Sequence, residues 1–464
     1  MRILPVVAAT SEQLTLLIDS QPGVLIIRGA AGSGKTTTAL LRLKQLCGSW
    51  AKRHQRLKLN APVRVLVLTY NRTLEGYIAE LARQQVPTYD NVELQVTTFA
   101  KYAHDLAAAI ADDFADTILD ELLTGFGMPR EFLTDEVQYL LSRFEPGKLE
   151  DYVSATRDGR GTSPRMESTT RRRLLDEVIY PYQKAKLSFG VRDWNDIAVD
   201  AASVDCQPWD VVIVDEAQDF SANQIRAIMA HVAPEHSVTF VVDAAQRIYP
   251  RAFTWKEAGI TQLRSKSLKT NHRNTRQIAA FARSVLNGMN VGIDGVLPDL
   301  DSATGEGPLP VVLIGSYSAQ TRWVLENIVG TEEPADELRE SVAFLHPKGG
   351  RWFSYTRSEL ERHHVGYVQL TRNNSWPAGE ETVALSTIHS AKGLEFDHVV
   401  ILGLNKEVTP HGEEDGDVGL ETLRRLLARG IGRARTTVTL GFKRGAESTL
   451  LDYLDPATYT RIEL

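Results

Sequence analysis

Short apolar runs alternate along this chain with longer stretches in which apolar residues recur at helical spacing. Apolar runs of four to eight residues bounded by turn-formers read as buried strands, and their alternation with helices reads as βαβ units of a parallel sheet. Val24–Arg28, Val63–Thr69, Val211–Asp215 and Thr239–Asp243 are the strands predicted in the first half. Val311–Ile314, Val342–Leu345, Thr382–Ser386, Val399–Leu402 and Val438–Gly441 follow in the second. Between Tyr102 and Trp194 the strand pattern stops, and helical runs at His104–Leu123 and Thr134–Phe144 replace it. The pattern therefore predicts an α/β chain with two parallel-sheet halves and an α-rich insertion in the first. Ser154–Thr170, Asp299–Pro310 and Thr371–Glu381 are polar and contain Gly or Pro, and they read as loops.

Composition narrows the class only a little. A chain of 464 residues is long enough for two to four domains, each with its own core. Cys47 and Cys206 are too few for a disulfide framework or a Cys-rich zinc site, which fits a reducing compartment. No apolar run is long enough to span a bilayer, and no basic cluster precedes the apolar N-terminus. A cytoplasmic protein without membrane association is expected. The net charge of −7 argues against a basic nucleic-acid coat protein, but it leaves open a strand held in one local groove.

The chemistry begins at Gly29-Ala-Ala-Gly-Ser-Gly34-Lys35-Thr36, which follows a predicted strand and opens a predicted helix. That is the context a P-loop requires: glycines let backbone N–H groups turn toward phosphate oxygens at a helix N-terminus. Gly29, Gly32, Ser33 and Gly34 form the cradle, Lys35 supplies a charge to the β/γ-phosphates, and Thr36 offers a hydroxyl to Mg²⁺. The strand Val211-Val-Ile-Val ends in Asp215-Glu216. At the carboxyl end of a parallel strand beside a P-loop, Asp215 is placed for the metal and Glu216 to orient and deprotonate water.

With Asp215-Glu-Ala-Gln-Asp219 added to the P-loop, the chain resembles the UvrD/Rep branch of superfamily 1 helicases. Further motifs occur in that family's order. Leu68-Thr-Tyr70-Asn71-Arg72 and Thr97-Thr98-Phe99 resemble motifs Ia and Ib, and Val242-Asp-Ala-Ala-Gln246-Arg-Ile-Tyr249 resembles motif III. Leu268-Lys-Thr-Asn271-His272-Arg273-Asn274 resembles motif IV. Thr387-Ile-His389-Ser-Ala-Lys392-Gly393-Leu394-Glu395-Phe396 is a near-complete motif V, and Arg424 to Leu440, with Arg433, resembles motif VI.

The resemblance implies two RecA-like domains with ATP and Mg²⁺ between them. It implies an adenine-reading Gln13, a γ-phosphate-sensing Gln246, a ribose contact from Glu395 beside Gly393, and arginine fingers Arg273 and Arg433, the lesser alternative for either arginine being a surface or interdomain salt bridge. Its domain plan would be 1A over 1–102, an α-rich 1B over 103–194, 1A again over 195–272, and 2A over 273–464. It implies a groove for single-stranded DNA, RNA not being excluded, with 3′→5′ movement. Groove candidates are Tyr70, Asn71, Thr98, Phe99, Tyr249, Arg251, Phe253, Trp255, Thr387 and His389. Each aromatic among them is a stacking platform or a core residue, and His389 is a strand contact or a loop histidine.

The chain also departs from the family pattern. His272 stands where a tyrosine stacks on adenine, and Thr37 where many relatives have arginine, so weak base selectivity is expected. Pro250 follows Tyr249 in place of the wedge tryptophan, and Gly432 precedes Arg433 in place of threonine. The accessory 2B domain, inserted before motif V in the family, has no room in Thr371–Glu381. Two functions remain: an ATP-dependent translocase or helicase, or an ATPase subunit that activates or loads a partner such as a nuclease in repair or phage defence.

Overall fold

A computed structural model describes residues 9–29, 32–70, 72–87, 89–156, 165–242, 253–268, 270–289, 303–330, 340–370, 376–377, 379, 381–412 and 417–464. The first sheet takes β1 (Gly23–Gly29), β2 (Val63–Thr69), β3 (Val92–Thr98), β4 (Trp209–Val214), β5 (Val232–Val242) and β6 (Arg264–Leu268). Their order is β3-β2-β4-β5-β1-β6, all parallel. β7 (Asn271–Thr275) and β8 (Ala303–Gly305) pair by themselves. The second sheet takes β9 (Val311–Gly315), β10 (Val342–His346), β11 (Tyr367–Gln369), β12 (Val383–Thr387), β13 (Phe396–Leu404), β14 (Ala434–Lys443) and β15 (Thr460–Glu463). It runs β11-β12-β10-β13-β14-β9-β15, again parallel throughout.

All nine predicted strands are present, with ends shifted by a few residues at most except at β5, which starts seven residues earlier. They occupy interior positions, where helices cover both faces and consecutive residues such as Leu25, Ile26 and Ile27 are all buried. The strands that no apolar run announced include all four edges of the two large sheets, β3, β6, β11 and β15. Edge strands face water on one side, so polar residues are tolerated: β6 reads Arg-Ser-Lys-Ser-Leu and buries only its last residue.

The insertion is helical and has its own core, in which Ile118, Leu133, Val137, Leu140, Leu175, Val178 and Tyr182 pack together. The run His104–Leu123 is not one helix. Helix Phe99–Ala107 stops at Ala108, whose φ of 49° is left-handed, and a new helix starts at Phe114. Phe99, Tyr102 and Ala103 belong to the core of the first sheet, with Trp209 and Phe220. Within Ser154–Thr170, Ser168 already begins a helix, and β8 falls inside Asp299–Pro310. β11 leads to β12 through residues 370–382 alone, so no further domain separates them. Among the described residues no helix is long and apolar enough to cross a membrane.

Candidate active site

The phosphate cradle is built by backbone first. β1 ends at Gly29, and Gly32 and Gly34 turn the chain with φ of 81° and 72°, values that a Cβ would strain. Helix Lys35–Leu57 then starts with Gly34 as N-cap and no side-chain cap, so its first N–H groups are turned to the loop. Ser33 is buried, and Thr37 on the first turn is half-buried. Gln13 closes one side: its Oε1 accepts from Thr10 N–H at 3.0 Å, and its Nε2 donates to Thr38 Oγ1 at 3.0 Å and to Gly34 C=O at 3.4 Å. Both ends of the Gln13 amide are thus engaged within the protein.

The carboxylates arrive on β4. Asp215 N–H donates to Leu68 C=O on neighbouring β2 at 3.0 Å, which fixes the end of β4 against β2. Asp215 Oδ2 then accepts from Thr36 Oγ1 at 3.1 Å. Glu216 follows in left-handed conformation, φ 54° and ψ 40°, an unusual backbone for a glutamate and a hallmark of strained functional turns. Gln218 Nε2 donates to its carboxylate. Burial and the adjacent Glu216 push Asp215 up to about 6. Burial also pushes Glu216 up, but Lys392, Arg433, Arg429 and Lys35 outweigh it and hold this carboxyl low and ionised.

Three of those four cations come from the second sheet. Lys392 Nζ lies 3.5 Å from Glu216 Oε2, contacts Asp219, and sits 5.1 Å from the Tyr70 ring centroid. Lys392, Glu216 and Asp219 are all buried. Burial pulls the Lys392 ammonium down to about 7, against the pull of Glu216. Gly393 carries the motif V turn against the first domain: φ is 80°, and a Cβ there would run into Leu74. Arg429, in the last turn of helix Val418–Ile431, and Arg433, just after it, are both buried, and Arg433 C=O accepts from Phe396 N–H at 3.0 Å, joining the starts of β13 and β14.

Arg273 takes the salt-bridge arrangement. Its guanidinium pairs with Glu395 and donates to Gly432 C=O at 3.2 Å. Burial pushes Glu395 up, but Arg273 more than offsets it and leaves the carboxyl below its ordinary range. Asn274 Nδ2 donates to Ala434 C=O at 2.6 Å and to Gly432 C=O at 3.3 Å, tying motif IV to motif VI. The Asn271 carboxamide packs where a Cβ on Gly32 would fall, tying motif IV to the cradle as well. Arg424 in motif VI is structural: it donates to Val285 C=O at 2.8 Å and lies 3.9 Å from the Tyr453 ring centroid.

The strand-groove candidates divide. Phe99 is corrected to a core residue, 5% exposed between Tyr102 and Phe220, because its helix must seal the first sheet. Thr98 is buried as the N-cap of that helix, its Oγ1 accepting from Lys101 N–H at 3.3 Å. Tyr70 is half-buried against Phe220 and Lys392. Trp255 packs on Phe240 and Phe253, and both Trp255 and Phe253 are half-buried. At the carboxyl end of β12, Thr387 Oγ1 accepts from Ser390 N–H at 2.9 Å, and His389 in that turn is exposed. Asn71, Gln246, Tyr249, Arg251 and the His272 side chain lie outside the described residues.

The sequence alone marks no role for Asp219, Lys392, Arg429, Asn271 or Asn274. Their spacing inside motifs was a signal, but only the fold reveals that these polar groups are buried together.

Comparison with known proteins agrees with this assembly. Residues 13–252, more than half the chain, match the AAA domain family, and residues 358–444 match the UvrD-like helicase C-terminal domain family. The chain belongs to the UvrD-like helicases. A probable DNA helicase of Mycoplasma pneumoniae is 21% identical over 435 residues, covering 88% of this chain and 78% of that protein. The ATP-dependent DNA helicase UvrD2 of Mycobacterium tuberculosis is 28% identical over 237 residues, covering 49% of this chain and 30% of that protein. The ATP-dependent DNA helicase PcrA of Bacillus subtilis is 37% identical over 73 residues, 16% of this chain and 10% of that protein. This UvrD-like chain therefore spans most of the Mycoplasma relative but under a third of the mycobacterial one.

Proposed function

We propose that this chain is an ATP-dependent motor on single-stranded DNA, moving 3′→5′, with ATP hydrolysed between its two sheet domains. The observation that carries the reading is the meeting of opposite charges across the two sheets, with Lys392 3.5 Å from Glu216. Two relatives named ATP-dependent DNA helicases support the choice of nucleotide and polymer.

The cradle from Gly29 to Thr36 would bind the phosphates by backbone N–H groups, with Lys35 and the helix N-terminus opposing their charge. One carboxylate and one hydroxyl converge at Asp215 and Thr36, 3.1 Å apart, a sparse oxygen set that suits Mg²⁺ shared with phosphates and water. Bound there, Mg²⁺ would neutralise charge that builds on the phosphate oxygens. Glu216 would orient the attacking water and receive its proton. Arg433, and Arg273 after release from Glu395, would stabilise the departing γ-phosphate. Gln13 would read the adenine edge, Gln246 would sense the γ-phosphate, and Glu395 would hold the ribose with His272 over the base. The turn carrying Thr387 and His389 would hold the strand and report on it through Lys392, five residues after Thr387 in the same turn.

A second reading, an ATPase subunit that drives a partner such as a nuclease, draws support from the short link 370–382, which leaves no 2B domain to contact duplex. The deciding measurement is the ATPase rate with no polymer and with single-stranded DNA, single-stranded RNA or duplex. Stimulation of tenfold or more by single-stranded DNA is expected. Equal rates in all four would remove the motor reading and favour the partner-driven one.

A further inference from the structure

The insertion joins the first sheet domain at a backbone hydrogen bond of 2.9 Å from Asp112 N–H to Arg192 C=O. Large apolar side chains on both segments next to this bond are left in water: Ile110 is 73% exposed, Phe114 43%, Leu187 75%, Phe189 63% and Trp194 58%. Phe114 and Phe189 meet edge to face with ring centroids 5.3 Å apart, which makes one continuous surface of the two segments. Phe114, Phe189 and Trp194 are also the most exposed aromatics among the described residues. A soluble surface leaves single apolar residues exposed without consequence, whereas a clustered aromatic patch marks a contact surface.

The rim of the patch is acidic. Asp112, Asp113 and Asp116 flank Phe114 in sequence and are exposed, and no described ion pair involves any of them. The cations nearest in sequence are committed elsewhere: Arg192 pairs with Asp200 at 3.0 Å, and Lys186 is buried between Asp193 and Asp196. Partial burial, with Asp113, Asp193 and Asp120 around it, raises the Asp116 carboxyl. Uncompensated negative charge around aromatic surface repels phosphate, which excludes a nucleic-acid strand here, and it attracts a cationic partner.

We propose that this patch docks an apolar, positively charged segment of a partner protein, with aromatic anchors at Phe114, Phe189 and Trp194 and an acidic rim that selects lysine- and arginine-rich sequence. None of these residues belongs to the nucleotide site, so the proposal does not depend on ATP turnover. It supplies a physical handle for a partner beside a motor core.

The test uses the full chain and three synthetic helical peptides of equal length, read by fluorescence anisotropy at physiological salt. One peptide is a leucine/lysine amphipathic helix, the second replaces lysine by glutamate, and the third replaces leucine by serine. The leucine/lysine peptide is expected to bind at least tenfold tighter than either twin. Phe189→Ser and Trp194→Ser should each weaken that binding fivefold or more, with the melting temperature and the ATPase rate unchanged. Asp113→Lys should weaken it as well and shift preference toward the glutamate peptide. Equal affinity for the lysine and glutamate peptides would overturn the proposal, as would wild-type affinity in both serine variants. It would equally be overturned if Phe189→Ser abolished binding of a single-stranded oligothymidine, or if sedimentation showed a wild-type dimer that Phe189→Ser disperses.

Discussion

The two parallel sheets meet at the proposed nucleotide site with opposite edges and opposite charge. The first presents the carboxyl ends of its strands: Gly29 closes β1, and Asp215 and Glu216 follow β4. The second presents the amino ends of β13 and β14, where Glu395 and Arg433 immediately precede the strands, with Lys392 in the approach to β13. In βαβ construction a carboxyl edge is followed by helix N-termini, and an amino edge is preceded by helix C-termini. Helix Lys35–Leu57 thus points its positive end at the cradle, while helix Val418–Ile431 ends beside Arg429 and Arg433. One edge is suited to hold phosphate and metal, the other to deliver cations to them. Under the proposed function neither sheet carries a complete site, so the separation of the two would be a means of control.

The sharpest way to break this comparison is to remove a charge from one edge. Glu216→Gln should retain ATP binding and lose about 10⁴-fold in turnover, measured by single-turnover hydrolysis. Undiminished hydrolysis would strip Glu216 of its role and the first edge of its chemistry. Arg433→Ala should cost about 10³-fold with little change in ATP affinity. A loss below tenfold would make it a structural arginine and leave the second edge passive.

Lys392→Met tests whether the two edges communicate. It leaves Glu216 and Asp219 buried without the ammonium that faces them, and breaking such a pair is costly. Stimulation by single-stranded DNA should fall about tenfold, by roughly 1.4 kcal/mol of coupling, while strand affinity changes little. A parallel fall in basal and stimulated rates would instead make Lys392 part of the hydrolytic machinery alone.

The smallest effect concerns the edge of the second sheet that faces away from this chemistry. At the end of β10, His346 Nδ1 accepts from the N–H groups of Lys348 and Gly349, each at 3.0 Å, which requires that nitrogen unprotonated. Burial, and then Lys348, lower this imidazole to about 4. An unfolded chain takes up the proton at its ordinary value near 6.5, so the contribution is full above that pH and is lost as pH falls toward 4. Urea unfolding at pH 7 and pH 5 should show about 2 kcal/mol less stability at the lower pH from this group. His346→Gln should flatten that part of the slope; an identical slope would remove the argument.

What could be read without coordinates follows burial. Interior strands such as β1 and β4 are largely apolar because both faces are covered, and Gly32 and Gly34 of the cradle are legible because their φ values exclude other residues. The four edge strands were illegible because solvent on one side lets them carry any sequence. Phe99 shows the same limit at a site: an aromatic in a strand-contact motif looks identical whether it stacks on a base or seals a core. Ala108 shows it for a helix, since a left-handed turn at alanine carries no sequence mark.

The sequence by itself determined the α/β class, the P-loop, and the carboxylates at the end of β4, because local backbone geometry and hydrophobic period restrict which residues stand there. Only the tertiary structure decided that Lys392 lies against Glu216 and Asp219, that Arg273 pairs with Glu395, and that Phe114 and Phe189 share one exposed surface. These are meetings of residues far apart in the chain. Their energies depend on distance and on the exclusion of water, and neither is written in the order of residues.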